Sequence, residues 1–273
     1  MSIVLIRQQV LVKSLFICVS NFWGVVTLGV FFYIAILKFL STLTINKMRN
    51  LFFLLIALLV SVDLEAQTRG IAFNEIRIKE GNQDNIIETY EKAMEDVELT
   101  GGVVLLQRIW KGAEDGMTHR MVWDWELGTD WFKGLDPNKG EAFWAKMGNS
   151  IEEWGASYSG RVLSWKDGDD DNKTHHVWDI KPKNPKQFKI GHDKLVKRFK
   201  KEFDGRIVGF GSYDFNGPNG ATHWVTVAGK SVEDHMMLYD ELQKQDDFYV
   251  LTSERGEREI VRDVEYEILK LYK

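Results

Sequence analysis

The sequence predicts an α+β chain built as two tandem βαββαβ halves, preceded by hydrophobic N-terminal segments. Three observations predict it. Gly116-Met117-Thr118-His119 recurs as Gly220-Ala221-Thr222-His223, and each copy leads into an apolar run, Met121-Val122-Trp123 and Trp224-Val225-Thr226-Val227. Ile78-Lys79-Glu80-Gly81-Asn82 matches Ile180-Lys181-Pro182-Lys183-Asn184 at Ile, Lys and Asn, 102 residues on. Between these phrases, stretches of period 2 and period 3.6 follow one another in the same order in both halves.

The elements follow in order. Ile71–Ile78 alternates as a half-buried strand. Asn82 or Asp84 caps a helix whose apolar positions are Ile86, Ile87, Tyr90, Ala93, Met94 and Val97, with an acidic opposite face. Gly101-Gly102 stops it. Val103–Trp110 and Met117–Trp125 are strands around a Gly-containing turn. A Trp-rich connection leads to a weaker helix over Glu141–Trp154, and Tyr158–Trp165 is the fourth strand.

The second half begins with a strand at His176–Ile180. Asn184-Pro185 reads as an N-cap followed by proline at the first helical position, where a missing N–H costs nothing. Phe188, His192, Leu195, Phe199 and Phe203 form the apolar stripe. Strands over Gly205–Phe215 and Thr222–Val227, a capping box at Ser231–Asp234 for a helix through Leu242, and a strand at Val264–Leu271 complete the half. The helix stripes match at the same 102-residue offset (Ile86 with Phe188, Tyr90 with His192), and from Gly101 and Gly205 the offset becomes 104.

The N-terminus has a different character. Ser14–Leu37 is long enough to cross a bilayer, for which about 20 apolar residues suffice. Leu51–Val62, behind Lys47 and Arg49 and ahead of Ala66-Gln67, has the layout of a secretory signal peptide. Met48 is therefore expected as the natural start, with 1–47 as hydrophobic upstream sequence. A membrane anchor ahead of an exported domain is the alternative. The expected organisation is 1–47, a signal peptide at 48–66, a first repeat at 67–166, an acidic linker at 167–174 and a second repeat at 175–273. The expected location is secreted or periplasmic, or membrane-anchored through the N-terminal segment.

Residues 1–66 hold five of the 35 basic and two of the 40 acidic residues, which leaves 30 basic and 38 acidic beyond them. A domain of net charge −8 excludes nucleic-acid binding by phosphate neutralisation. Cys18 is the only cysteine, so no disulfide framework holds the exported part.

Two βαββαβ units in tandem resemble the dimeric α+β barrel (ferredoxin-like) superfamily. One chain would supply both halves of a pseudo-dimeric barrel. The resemblance rests on element order and duplication over 70–273 and points to no particular family. It implies a cavity beside each sheet. It also implies a range of activities, from cofactor-independent monooxygenases and haem-binding enzymes to small-molecule-binding proteins.

His119 and His223 hold equivalent places in the third strand of each half. Alternation puts His119 with Met121 and Trp123, and His223 with Val225. These five are the expected ligand-binding residues, as polar handles in an apolar cavity or as groups that fix the turn. No residue is assigned as catalytic. His192 reads as a core or boundary histidine, Asp167–Asn172 as a solvated linker, and the tryptophans chiefly as core. There is no Lys-bearing phosphate loop, no H-E-x-x-H, no cysteine metal site and no G-x-S-x-G.

The expected function is an exported, non-catalytic binding or interaction protein for a small apolar or aromatic ligand. It is expected to have no cofactor or metal, to meet the membrane only through its N-terminal segment, and to be a monomer with an internal pseudo-dimer. The alternative is a cofactor-independent monooxygenase-like enzyme with a strand histidine as general base. N-terminal sequencing of the exported protein should begin near Gln67; a retained Ser14–Leu37 segment would remove the signal-peptide reading.

Overall fold

The computed structural model describes residues 68–273 except 114, 115, 135 and 216. The expected segments 1–47 and 48–66 lie outside the described residues. Among the described residues, no helix is long and apolar enough to cross a membrane.

The first half contains β1 (Arg69–Ile78), α1 (Gln83–Met94), β2 (Glu98–Leu99), β3 (Gly102–Lys111), β4 (His119–Glu126), β5 (Phe132–Lys133), α2 (Pro137–Ser150) and β6 (Ile151–Lys166). The second contains β7 (Thr174–Pro182), α3 (Pro185–Arg198), β8 (Val208–Phe215), β9 (His223–Gly229), α4 (Val232–Gln243), α5 (Asp246–Glu254) and β10 (Arg258–Tyr272). Eight strands close an antiparallel barrel in the order β1-β4-β3-β10-β7-β9-β8-β6, and β2 and β5 pair separately.

Closure comes from the length of two strands. β6 pairs with β1 through its first part and with β8 through its last. β10 pairs likewise with β7 and then with β3. Each half's last strand thus runs beyond its own sheet into the other, which removes open edges. β6 begins at Ile151 and not at Tyr158 because its first part pairs with β1 of its own half before the strand reaches β8. The helix expected at Glu141–Trp154 sits earlier, capped by Asp136, whose side chain accepts from Asn138 N at 2.8 Å. The caps at Asn184 and Ser231 form as expected, accepting from Gln187 N and Asp234 N. Helix α5 had no counterpart in the sequence reading. Its Tyr-Val-Leu-Thr run favours a strand, and only Phe248 is buried.

The repeated Gly-x-Thr-His phrase is explained by backbone geometry. Gly116 and Gly220 have φ of 71° and 77°, a conformation that suits glycine. Thr118 N then donates to Ile76 O at 3.0 Å, and Thr222 N donates to Ile180 O at 3.1 Å. The ladders put Ile76 opposite His119 and Ile180 opposite His223. By this register Ile180 corresponds to Ile76. The Ile78–Ile180 match at offset 102 is therefore two residues out in the first strands, while it holds for the helices. A shift of two keeps every side chain on its face, so hydrophobic patterning is blind to it.

Two apolar layers result. Inside the barrel are Ile71, Phe73, Ile109, Val122, Val177, Val264 and the rings of Tyr158, Tyr213, Trp224 and Tyr266. Outside, α1 and α2 cover the first half over Ile76, Tyr90, Leu106 and Met121, and α3, α4 and α5 cover the second over Phe188, Phe199, Val225 and Val227. Gly211 admits the Trp224 indole into the barrel, since a Cβ there would lie 2.1 Å from the ring.

The barrel centre also holds charge. Arg262 donates from Nε to Asp179 at 2.7 Å and from Nη1 to Glu75 at 2.8 Å, all three buried. Its Nη2 reaches the hydroxyls of Tyr158 and Tyr266 at 3.3 and 3.2 Å, and Tyr213 donates to Asp179 at 2.5 Å. Removing one partner of a buried ion pair leaves an uncompensated charge at a cost of about 3–5 kcal/mol. Arg262→Met should lower the urea midpoint accordingly, and adding Glu75→Gln and Asp179→Asn should restore part of the loss.

Candidate active site

Strand alternation divides β7 between two environments. His175, Val177 and Asp179 belong to the barrel interior, while His176, Trp178 and Ile180 lie beneath the helices. The outer set lines a cavity of about 480 Å³ enclosed by α3, α4 and α5. Its walls are apolar and aromatic, including Trp178, Phe188, Val225, Tyr239 and Phe248. Its polar groups include His176, His192, His235, Arg255, Arg258 and Asp263. An apolar pocket of this size with a few convergent polar groups is the usual form of a small-molecule site.

The histidines are arranged in series. Asp263 on β10 bonds His176 Nε2, and His176 Nδ1 lies 2.6 Å from His235 Nε2 on α4. A carboxylate accepts, so His176 carries its proton on Nε2 and its Nδ1 accepts from His235 Nε2–H. His235 Nδ1 is then a lone-pair nitrogen, and it is buried with no protein partner. Trp178 covers the relay, with ring centres 3.9 Å from His176 and 5.9 Å from His235. Burial, with His176 and Arg206 adding to it, pushes His235 down to about 3, which keeps it neutral. The outer end of the relay reaches solvent, because the Asp263 side chain is 56% exposed.

Two further groups border the cavity. His192 on α3 is buried against Phe188 and Phe210, and neither ring nitrogen has a partner. Burial, followed by Arg255, lowers it to about 4. Arg255 has a buried, unpartnered Nε, and burial with the neighbouring Arg258 lowers it to about 10, still cationic near neutrality. Buried polar atoms without a protein partner are uncommon in folded proteins.

The expected site residues are placed as follows. His119 Nδ1 lies 2.9 Å from Thr118 Oγ1 and its Nε2 lies 3.2 Å from Gln83 Oε1, so it ties the turn to α1. His223 Nδ1 lies 2.9 Å from Thr222 Oγ1, and its ring stacks on Phe210 at 5.4 Å. Met121 is core beneath α1 and α2, and Trp123 lines a first-half cavity of about 380 Å³ with Tyr90, Trp131 and Phe143. Val225 alone of the five lines the second-half cavity. The sequence reading missed His176, His235, Arg255, Arg258 and Asp263. The signal for His176 was present: alternation puts one of the adjacent His175 and His176 on each face. Nothing local joins them to His235 or Asp263, 59 and 87 residues away.

Comparison with solved structures finds the same fold in proteins of low sequence identity. A putative monooxygenase from Lactobacillus acidophilus matches with a TM-score of 0.53 at 13% identity, over 76% of this chain and 96% of that one. A putative monooxygenase from Fusobacterium nucleatum matches with 0.51 at 16% identity, over 76% and 95%. An anthrone oxidase-like protein matches with 0.46 at 13%, over 76% and 94%. No protein-family model matches the chain, and no curated protein sequence does. At these identities the likeness establishes the fold. The two with TM-scores above 0.5 are named as monooxygenases, which counts against the non-catalytic binding protein expected from sequence.

The buried histidines make stability depend on pH. His119, His175 and His192 fall from 6.5 to about 4, and His235 to about 3, in each case chiefly by burial. The unfolded chain therefore binds more protons below pH 6.5. Stability is full above that value and declines as pH falls toward 4, by about 3 kcal/mol per histidine. Melting temperatures measured from pH 7.5 to 4.5 should fall steadily, and His192→Phe should flatten the slope.

Proposed function

We propose that the second-half cavity is the active site of a cofactor-independent monooxygenase-like enzyme acting on a hydroxyaromatic substrate with an acidic C–H. The observation that carries the reading is the Asp263–His176–His235 relay, which ends in an unpartnered nitrogen at an apolar cavity. The named activities of the fold's two closer solved structures give the reaction class.

His235 Nδ1 takes the substrate proton. Its Nε2 proton moves to His176 Nδ1, so the positive charge resides beside Asp263, with Glu265 4.0 Å away. Arg255 and Arg258 stabilise the enolate-like oxygen of the resulting carbanion. The carbanion supplies two electrons to dioxygen and forms a C–O bond, and the relay returns the proton to give a hydroperoxide. Loss of the remaining C–H proton with O–O cleavage leaves a carbonyl and one water, so the substrate itself is the reductant. Trp178, Tyr239 and Phe248 exclude solvent while the carbanion exists.

The shared strand order and the matching Gly-x-Thr-His bonds support duplication of one βαββαβ unit, with a monomer as the working state. Val225 remains a ligand contact in this reading, while His119 and His223 hold turns. Export through 48–66 remains part of the proposal.

Oxygen uptake with an anthrone or a dihydroxynaphthalene as substrate tests it. His235→Ala should lower turnover by about 10²–10⁴-fold, Asp263→Asn should have a smaller effect, and His119→Ala should leave turnover near wild type. One atom of labelled dioxygen should enter the product. Uptake independent of His235 would overturn the proposal.

A further inference from the structure

We infer that the barrel interior is a second ligand site, separate from the cavity under the helices, for a small organic anion: a carboxylate on a short apolar body. A cavity of about 200 Å³ lies inside the barrel, with Ile71, Leu105, Val122, Val177 and Trp224 among its walls. That volume suits a chain of a few carbons and leaves no room for a polycyclic substrate.

The chemistry of the occupant follows from one arginine. Three arginines on barrel strands line or cross the interior. Arg69 is paired with Asp124, and Arg262 takes both Glu75 and Asp179. Arg120, only 3% exposed, has no carboxylate partner among the described residues. Its Nε and Nη2 donate to the neutral Gln107 Oε1 at 2.9 and 2.8 Å, and its guanidinium lies 3.4 Å from the Tyr266 ring centre. Its Nη1 is buried without a partner, and so is Nε2 of His175, which lines the same cavity. A buried cation with a free donor beside a second free polar nitrogen is costly unless an acceptor fills the gap. A carboxylate supplies acceptors for both and leaves its alkyl part among the aliphatic walls. The other cations of the lining are already paired, Arg69 with Asp124 and Lys273 with Asp170, and Asp167 and Asp169 also line the cavity, so among the described residues Arg120 is the cation left for an anion.

Hexanoate is a direct probe, with hexanol as its uncharged counterpart. Quenching of tryptophan fluorescence reads binding, because Trp165 and Trp224 line this cavity. The inference expects saturable quenching and thermal stabilisation by hexanoate, with hexanol at least tenfold weaker. Arg120→Gln should weaken hexanoate at least tenfold. Leu105→Trp, which fills the cavity and keeps the charge, should do the same if the arginine variant fails to fold. His235→Ala should leave hexanoate binding unchanged, whatever it does to oxygen uptake. Equal binding of acid and alcohol, binding that survives Arg120→Gln or Leu105→Trp, or loss in His235→Ala would each overturn it.

Discussion

Arg262 joins the two halves of the chain at the centre of the barrel. It stands on the last strand of the second half, and its carboxylate partners come from the first strand of each half, Glu75 on β1 and Asp179 on β7. Tyr158 of the first half and Tyr213 and Tyr266 of the second complete the shell of donors and rings. A charge this deep is tolerable only with its partners in place. The barrel register is thereby tied to three strands at once, and a register shift between Ile260 and Arg262 in the β10–β7 ladder accompanies the inward turn of the arginine.

Around that shared centre the two halves differ on their outer faces. The same helix position holds Tyr90 in the first half and His192 in the second, and each borders a cavity between sheet and helices. The first-half cavity is walled by Trp123, Trp131, Phe143 and Trp144 and has little to titrate. The second collects three histidines, two arginines and an aspartate. The additional helix α5 brings Phe248 and Thr252 to that cavity, with Arg255 just beyond its end. The titratable side chains are concentrated at the second-half cavity.

The order of strands and helices was legible because burial on one face leaves a period in the sequence. Turn glycines and the Asn184 and Ser231 caps were legible for the same local reasons. Closure was not, since nothing in Ile151–Trp154 announces that β6 must extend to serve two partners. The site was harder still. Alternation alone cannot say which face of a strand looks into the barrel, so His119 and His223 stood out as repeated landmarks while His176 did not. The Gly-x-Thr-His repeat is a turn device, and the relay residues are unrepeated and scattered over three elements.

β7 is a wall one peptide thick between two rooms. His175 faces the interior and His176 faces the outer cavity, with a single Cα–Cα step between them. A change in the tilt or pleat of this strand must alter both rooms together and in opposite senses.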